Sequence, residues 1–543
     1  MSAENETSPV VQTTHGKVRG TLLKSPYCEP FYAFDGVPYA EPPIGSLRFK
    51  EPHEMKPWSG ILDCTQPPNV CLQADKNLEK VKGSEDCLYL SISVKTLRSE
   101  KPLPIMVYLH GGVFKRGDSL RQTLGPDYFM REDVIYIAVG YRLGAFGFLS
   151  FSDPSLGIPG NAGLKDIIHA LRWIRANAVN FNGDPERVTL FGQSAGSAST
   201  QYLMASPQAK GLFQKAILMA GFCMELYRRP NWEFRLAKNL GYEGENIDKQ
   251  VFEFLLKADP NKLAKADIST PEEKKKGEIL DFVPCLEPYV TPGAVLLAEP
   301  IELLRTSWSH RIPVVLGVSS EDGLYHLMGL KNDGAKELLA FQENPERVLP
   351  WTLKRHYDPE QQRQVGEQFL DFFCQAHGNQ LTIERADGLE KLFTHNIVHS
   401  QYRLIRSRLA YAQAPTYLYR FAFDSPDFNL YRKRCFLDPN QRGVCHADEL
   451  AYIFVMPTTF KLEKSRPEYS AISRMVAMWV SFASTSNPNC EITKPLVDWK
   501  PVTQSEPPLL LNIDEDLKMI PQPEHSKLKF YDRLYDQADL PLF

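Results

Sequence analysis

No stretch of this 543-residue chain approaches the ~20 consecutive apolar residues that a helix needs to cross a bilayer; the apolar run at 134–139 is strand-length. A basic excess is also missing. Lys plus Arg is 62 against 66 Asp plus Glu, a formal charge of −4, which excludes an electrostatic nucleic-acid binder as the first reading. The ten cysteines form no C-x-x-C pair, so zinc ribbons and thioredoxin-like redox centres have no support. Met1-Ser-Ala-Glu-Asn-Glu-Thr-Ser-Pro9 has neither a basic region nor an apolar core and does not read as a secretory signal. Asp539-Leu-Pro-Leu-Phe543 is neither a retention tetrapeptide nor a lipidation box. A cytoplasmic protein with no membrane span is therefore expected. Only Cys71 and Cys87 stand close enough, around a polar loop, to suggest a bridge, and in a reducing compartment two free thiols are expected. The single glycosylation sequon, at Asn5, falls in a tail (1–8) expected to be flexible.

What is present is the composition of a folded enzyme: 43% hydrophobic and 24% charged residues, with 41 prolines spread along the chain as in ordered loops. Length alone suggests three or four domains at ~150 residues each. The patterning argues for one. Ile105-Met-Val-Tyr-Leu109 and residues 134–139 are continuous apolar runs, as in strands buried on both faces. Leu164, Ile167, Ile168, Leu171, Ile174 and Ala178 recur at helical spacing, and further strands are expected at 187–191, 215–219, 312–318 and 416–421. Ile472, Met475, Val476, Trp479 and Val480 mark a late core helix ending before Asn487-Pro-Asn489. Helical patterns dominate about 225–310 and 330–410, and the mixed-charge run 271–277 reads as a solvated surface. The expected fold class is α/β: one large, mostly parallel twisted sheet flanked by helices, with helical insertions, spanning 1–543 as a single unit.

Chemistry concentrates at Gly192-Gln-Ser194-Ala-Gly196, directly after the strand ending at Phe191 and before a helix-forming segment. A G-x-S-x-G turn between strand and helix holds its serine strained and exposed above the sheet, which makes Ser194 the candidate nucleophile. His110-Gly-Gly-Val-Phe114 closes the strand from Ile105, where glycines let main-chain N–H groups converge on a developing oxyanion. Of twelve histidines, His395 and His399 share an i, i+4 spacing but lack the following Glu and a third ligand, so they read as ordinary helix residues. His446, in Arg442-Gly-Val-Cys-His-Ala-Asp-Glu-Leu450, is the candidate base. Asp322, in Gly317-Val-Ser-Ser-Glu-Asp-Gly323 at a strand end, is the candidate orienting acid.

With these segments the chain resembles the type B carboxylesterases, the α/β-hydrolase branch that includes cholinesterases. Gly36-Val-Pro-Tyr-Ala-Glu-Pro-Pro-Ile-Gly-Ser-Leu-Arg-Phe49, Ser84-Glu-Asp-Cys-Leu-Tyr-Leu90, Tyr141-Arg-Leu-Gly-Ala-Phe-Gly-Phe148 and Pro159-Gly-Asn-Ala-Gly-Leu164 carry the likeness, which runs from about residue 9 to the end. It is most similar to the intracellular insect α-esterases, judged from the short 71–87 loop and Gly443-Val-Cys-His-Ala-Asp-Glu-Leu-Ala-Tyr452. The resemblance implies an α/β-hydrolase fold and a serine carboxylesterase acting on small to medium uncharged carboxylic esters through an acyl-enzyme. It implies no metal and no cofactor, organophosphates as covalent inhibitors, and a detoxification role. It assigns Ser194 as nucleophile, His446 as general base and acid, and Asp322 as the residue that fixes the histidine. The order Ser…Asp…His is the one this fold requires. Gly112, Val113 and Ala195 correspond to the oxyanion-hole donors, each worth ~3 kcal/mol of barrier by analogy with other acyl-transfer enzymes. Arg48 with Glu85 and Arg142 with Asp166 correspond to buried ion pairs.

Departures from the family pattern sharpen the expectations. Asp322 stands where the family usually has Glu, one methylene shorter; Glu321, one position early, is the fallback. Val113 replaces a third glycine, so a β-branched side chain is expected to narrow the pocket. Met219-Ala-Gly-Phe-Cys223 lacks the family's serine, the other family cysteines have no equivalents, and no tryptophan occurs in the 71–87 loop, which argues against a choline-ester specialist. Hormone esterases of the family share Gly192-Gln-Ser194-Ala-Gly196, but Asp166-Ile167 stands where they usually carry Asp-Gln. The alternative is a catalytically weak or silent hydrolase-like protein that binds or sequesters ligands. The oligomeric state and the natural ester are not legible.

Overall fold

Strands covered on both faces must be apolar at nearly every position, and the central strands Leu103–Leu109 and Ile135–Val139 are built that way, each buried along its whole length. The structure is a computed structural model that describes residues 8–75, 78–226, 231–278, 280–328, 330–375, 381–382, 386–432, 442–457 and 462–543. Asn5 and the tail expected to be flexible lie, apart from Ser8, outside the described residues. The main sheet is formed by β1 (Thr21–Leu23), β2 (Phe31–Pro38), β3 (Tyr89–Val94), β4 (Leu103–Leu109), β5 (Ile135–Val139), β6 (Gly183–Gln193), β7 (Lys215–Met219), β8 (Val314–Ser319), β9 (Thr416–Phe421), β10 (Leu509–Ile513) and β11 (Leu517–Pro521). Their order is β11-β10-β9-β8-β7-β6-β4-β5-β3-β2-β1. Pairings from β10 to β5 are parallel, while the edge pairs are antiparallel. This is the α/β-hydrolase arrangement.

Side-chain alternation sorts each central strand between two cores. Ile105, Val107 and Leu109 face one side with Ile135, Ile137 and Val139; Met106 and Tyr108 face the other with Tyr136 and Phe191. On the first side lie α1 (Ala162–Asn177) and α2 (Ala195–Ala205), with Leu164, Ile167, Leu171 and Ile174 buried. Each such side chain contributes about 1.5–3 kcal/mol by leaving water. A later helix, Pro467–Thr485, covers the second side through Ile472, Met475, Val476 and Trp479, and ends before Asn487. A third apolar cluster joins α3 (Pro359–Cys374) and α4 (Ala386–Tyr411) to the last helix, His525–Gln537, through Phe369, Leu389, Leu392, Phe530 and Tyr531. Among the described residues no helix is long and apolar enough to cross a membrane.

Both ion pairs implied by the family resemblance are present. Arg48 donates from Nε and Nη2 to Glu85 at 2.6 and 2.7 Å, and Arg142 does the same to Asp166 at 2.8 and 2.7 Å, tying the segment after β5 to α1. The cysteine expectation is corrected. Cys71 and Cys87 are joined by a disulfide, with Cα atoms 4.8 Å apart. The loop between them folds back on itself, since Leu72 donates to the Ser84 carbonyl at 3.0 Å and Ser84 to that of Val70 at 2.9 Å. That pairing brings the two thiols within bonding geometry, so the bridge that their spacing suggested is made.

Candidate active site

Parallel register levels the carboxyl ends of β4, β6 and β7: Gly192 lies opposite both Leu109 and Leu218. The turns that follow these strands therefore meet at one edge of the sheet. After β6 the chain reverses at Ser194 into α2, with Ser194 at φ 56° and ψ −122°. Only small neighbours permit this turn. A Cβ on Gly196 would fall 2.0 Å from the Leu109 carbonyl oxygen, and one on Gly192 2.4 Å from the Gly196 carbonyl carbon. The turn is fixed by Ser194 N–H to Met219 O at 2.8 Å, and Gly221 packs against the Ser194 carbonyl while accepting from the Ser197 hydroxyl at 2.7 Å. Ser197 thus supplies a hydroxyl behind the elbow, although the 219–223 segment lacks the family's serine.

Beyond β4 the backbone takes three successive left-handed residues, Gly112 (φ 115°), Val113 (58°) and Phe114 (58°). A β-branched residue in this region costs about 1–3 kcal/mol and persists where its surroundings enforce it. Tyr141 enforces the approach, stacking on His110 at 4.4 Å and donating its hydroxyl to the His110 carbonyl at 2.7 Å. The Gly112 carbonyl accepts from both Lys115 and Arg116 N–H at 3.0 Å, closing the turn. It runs directly against the elbow, since a Cβ on Gly111 would sit 3.0 Å from that of Ser194. Among the described residues the N–H groups of Gly112 and Val113 make no hydrogen bond, and Ala195, first residue of α2, has no intrahelical acceptor. These donors and the positive end of α2 leave a site suited to negative charge.

His446 and Asp322 come from loops 124 residues apart in sequence, yet His446 Nδ1 lies 2.7 Å from Asp322 Oδ1. Asp322 is fully buried and begins a short 3-10 turn after β8; its other oxygen accepts from Ser319 N–H at 3.1 Å. Gly323 N–H is anchored to the Thr394 hydroxyl on α4 at 2.8 Å. His446 Nε2 reaches the residue just before Ser194, lying 3.2 Å from Nε2 of Gln193. The Ser194 hydroxyl makes no hydrogen bond among the described residues; such contacts often tighten only when substrate binds. Glu321 turns the other way, accepting from Val444 N–H at 2.7 Å and from the Ser320 hydroxyl.

Two neighbours were not singled out from sequence. Gln193 is one. The other is Glu449, three residues after His446, which is buried and accepts from the Ser319 hydroxyl at 3.0 Å. Burial pushes the Glu449 carboxyl up to about 7, with the Asp322 charge adding to the effect. The adjacent Asp448 is likewise pushed up to about 7 by burial. The carboxylate pair after His446 was the signal available for both. His395 and His399 lie on α4 and bond to other groups, with His399 Nε2 3.3 Å from Asp532 and His395 Nδ1 2.5 Å from the Lys391 carbonyl.

A strained serine at the end of a central parallel strand, with a histidine–carboxylate pair whose imidazole reaches the residue before it, defines a hydrolase of the α/β-hydrolase class. Residues 7–531 match the carboxylesterase family, and the chain belongs to it as a carboxylic ester hydrolase. It is 34% identical to Esterase B1 of Culex pipiens over 99% of this chain and 100% of that one. It is 30% identical to a juvenile hormone esterase of Tribolium castaneum, covering 89% of this chain and 84% of that protein. The crystal structure of juvenile hormone esterase from Manduca sexta, with OTFP covalently attached, superposes with a TM-score of 0.85 at 28% identity, covering 97% of this chain and all of the other.

Proposed function

We propose that Ser194, His446 and Asp322 form the catalytic triad of this carboxylesterase, and that Gly112, Val113 and Ala195 donate to the oxyanion. The observation that carries this reading is the 2.7 Å contact between His446 Nδ1 and Asp322 Oδ1, beside the elbow serine. Asp322 keeps Nδ1 protonated, which leaves the lone pair of the ring on Nε2. Nε2 takes the Ser194 proton as Oγ bonds to the ester carbonyl carbon, and the three N–H groups receive the oxyanion. Collapse expels the alcohol, which leaves with the proton from His446, and an acyl-serine remains. Water then attacks the acyl carbon, giving its proton to His446, which returns it to Oγ as the carboxylic acid departs.

Substrates are small to medium uncharged carboxylic esters; the size limit is supported by a branched residue, Val113, at the oxyanion turn. Scavenging of organophosphates through the same serine, as in detoxification, follows from the same chemistry. A cytoplasmic site is supported by Cys28, Cys64, Cys223 and Cys490, which remain thiols; the Cys71–Cys87 bridge is the observation that weighs against it. A second reading, a weakly catalytic binding protein, is favoured only by the missing hydrogen bond at the Ser194 hydroxyl. The deciding experiment measures hydrolysis of 1-naphthyl and 4-nitrophenyl esters of increasing acyl length by the protein and by Ser194→Ala. Loss of steady-state turnover in the variant alone supports the triad. Equal rates leave the binding reading, and a burst without turnover in the unsubstituted protein identifies sequestration.

A further inference from the structure

The loop that carries His446 is held in an unusual way. Three successive backbone N–H groups each donate to a different carboxylate: Gly443 to Asp424 Oδ2 at 3.0 Å, Val444 to Glu321 Oε2 at 2.7 Å and Cys445 to Asp448 Oδ2 at 2.9 Å. The fourth residue, His446, meets Asp322 through its ring. Glu321 and Asp322 are adjacent, so one short segment grips this loop twice, by backbone and by ring. A reciprocal bond from Glu321 N–H to the Val444 carbonyl at 3.1 Å completes a two-point clamp. Val444 is fully buried, so water cannot replace the Glu321 oxygen as acceptor without opening the loop. Gly443 makes room for the carboxylate: it lies at φ 140°, and a Cβ there would stand 3.2 Å from Glu321 Oε2.

We infer that Glu321 is a positioning residue for the esterase reaction, setting the distance and tilt of the His446 ring through the Val444 N–H. The inference rests on the proposed triad. It also gives a physical reason for a second carboxylate beside the orienting acid. Glu321 reaches the loop's main chain, while the shorter Asp322 reaches its side chain.

The test compares Glu321→Ala, Glu321→Gln and Glu321→Asp with the unsubstituted protein and Ser194→Ala, using 4-nitrophenyl acetate kinetics and the rate of labelling by a fluorophosphonate. Gln keeps an acceptor oxygen at the right reach without charge; Asp keeps the charge but falls one methylene short. Glu321→Ala and Glu321→Asp are expected to lose about 10- to 100-fold in kcat and in labelling rate, with KM within about twofold. Glu321→Gln is expected to stay within about threefold of the unsubstituted protein. If Glu321→Ala does not fold, the Gln and Asp variants decide alone. Equal kcat in these two, or unchanged kcat in Glu321→Ala, overturns the inference. Retained turnover in Ser194→Ala overturns the triad instead, so the two failures are distinguishable.

Discussion

Replacing Glu449 by glutamine removes a carboxyl that the fold keeps out of water beside a second buried acid. Its side chain is 1% exposed, Oε2 accepts from the Ser319 hydroxyl, and Oε1 has no partner among the described residues. Burial and then the Asp322 charge raise it from an ordinary 4.5 to about 7, while His446 pulls the other way. A carboxyl raised in the folded state binds its proton more tightly there than in the unfolded chain. Its contribution is therefore fully favourable below the unfolded value and is lost as pH climbs towards the folded one. Relative to a carboxyl that keeps its unfolded value, the raised group costs the fold about 3 kcal/mol at pH 8, but only about 1 kcal/mol at pH 5, where it holds its proton. Glutamine carries no proton to lose, so its pH-independent effects shift the variant equally at both pH values. In urea unfolding, the stability of Glu449→Gln relative to the unsubstituted protein should rise by about 2 kcal/mol between pH 5 and pH 8. A difference that stays flat, or falls, would refute the raised carboxyl.

Val113→Gly removes a β-branched residue from the left-handed region and should raise kcat/KM for bulky acyl esters more than for acetates; unchanged or lower rates would count against a pocket narrowed at this point. The melting temperature of that variant should not fall, because relieved strain offsets the ~0.5–1 kcal/mol entropic cost of glycine. Because His446 must be neutral to accept the serine proton, esterase activity should decline on the acid side of its pH profile. A profile flat from pH 5 to 8 would contradict that role.

The parts legible in sequence are those whose physics is local. Strands β4 and β5 announce themselves because burial on both faces demands unbroken apolar runs, and the elbow because its glycines are forced by strand–helix contact within five residues. Strand β8 begins at Val314, two residues later than its pattern suggested, once past Pro313, which has no N–H for the ladder. What stayed hidden depends on contacts between distant segments. The Cys71–Cys87 bridge follows from loop pairing, while expectation rested on compartment chemistry. The turn of Glu321 towards Val444, the approach of Gln193 to His446 and the burial of Glu449 behind Ser319 all arise where loops from different strands converge. No periodicity within a single segment encodes them.

The central claim is that Ser194 is a nucleophile activated by a histidine from the far end of the chain. Intact-mass spectrometry after brief exposure to a fluorophosphonate, followed by peptide mapping, tests it most directly. The account predicts one adduct per chain, on Ser194, with labelling strongly slowed in His446→Ala. No adduct, an adduct on another residue, or labelling indifferent to His446 would contradict it.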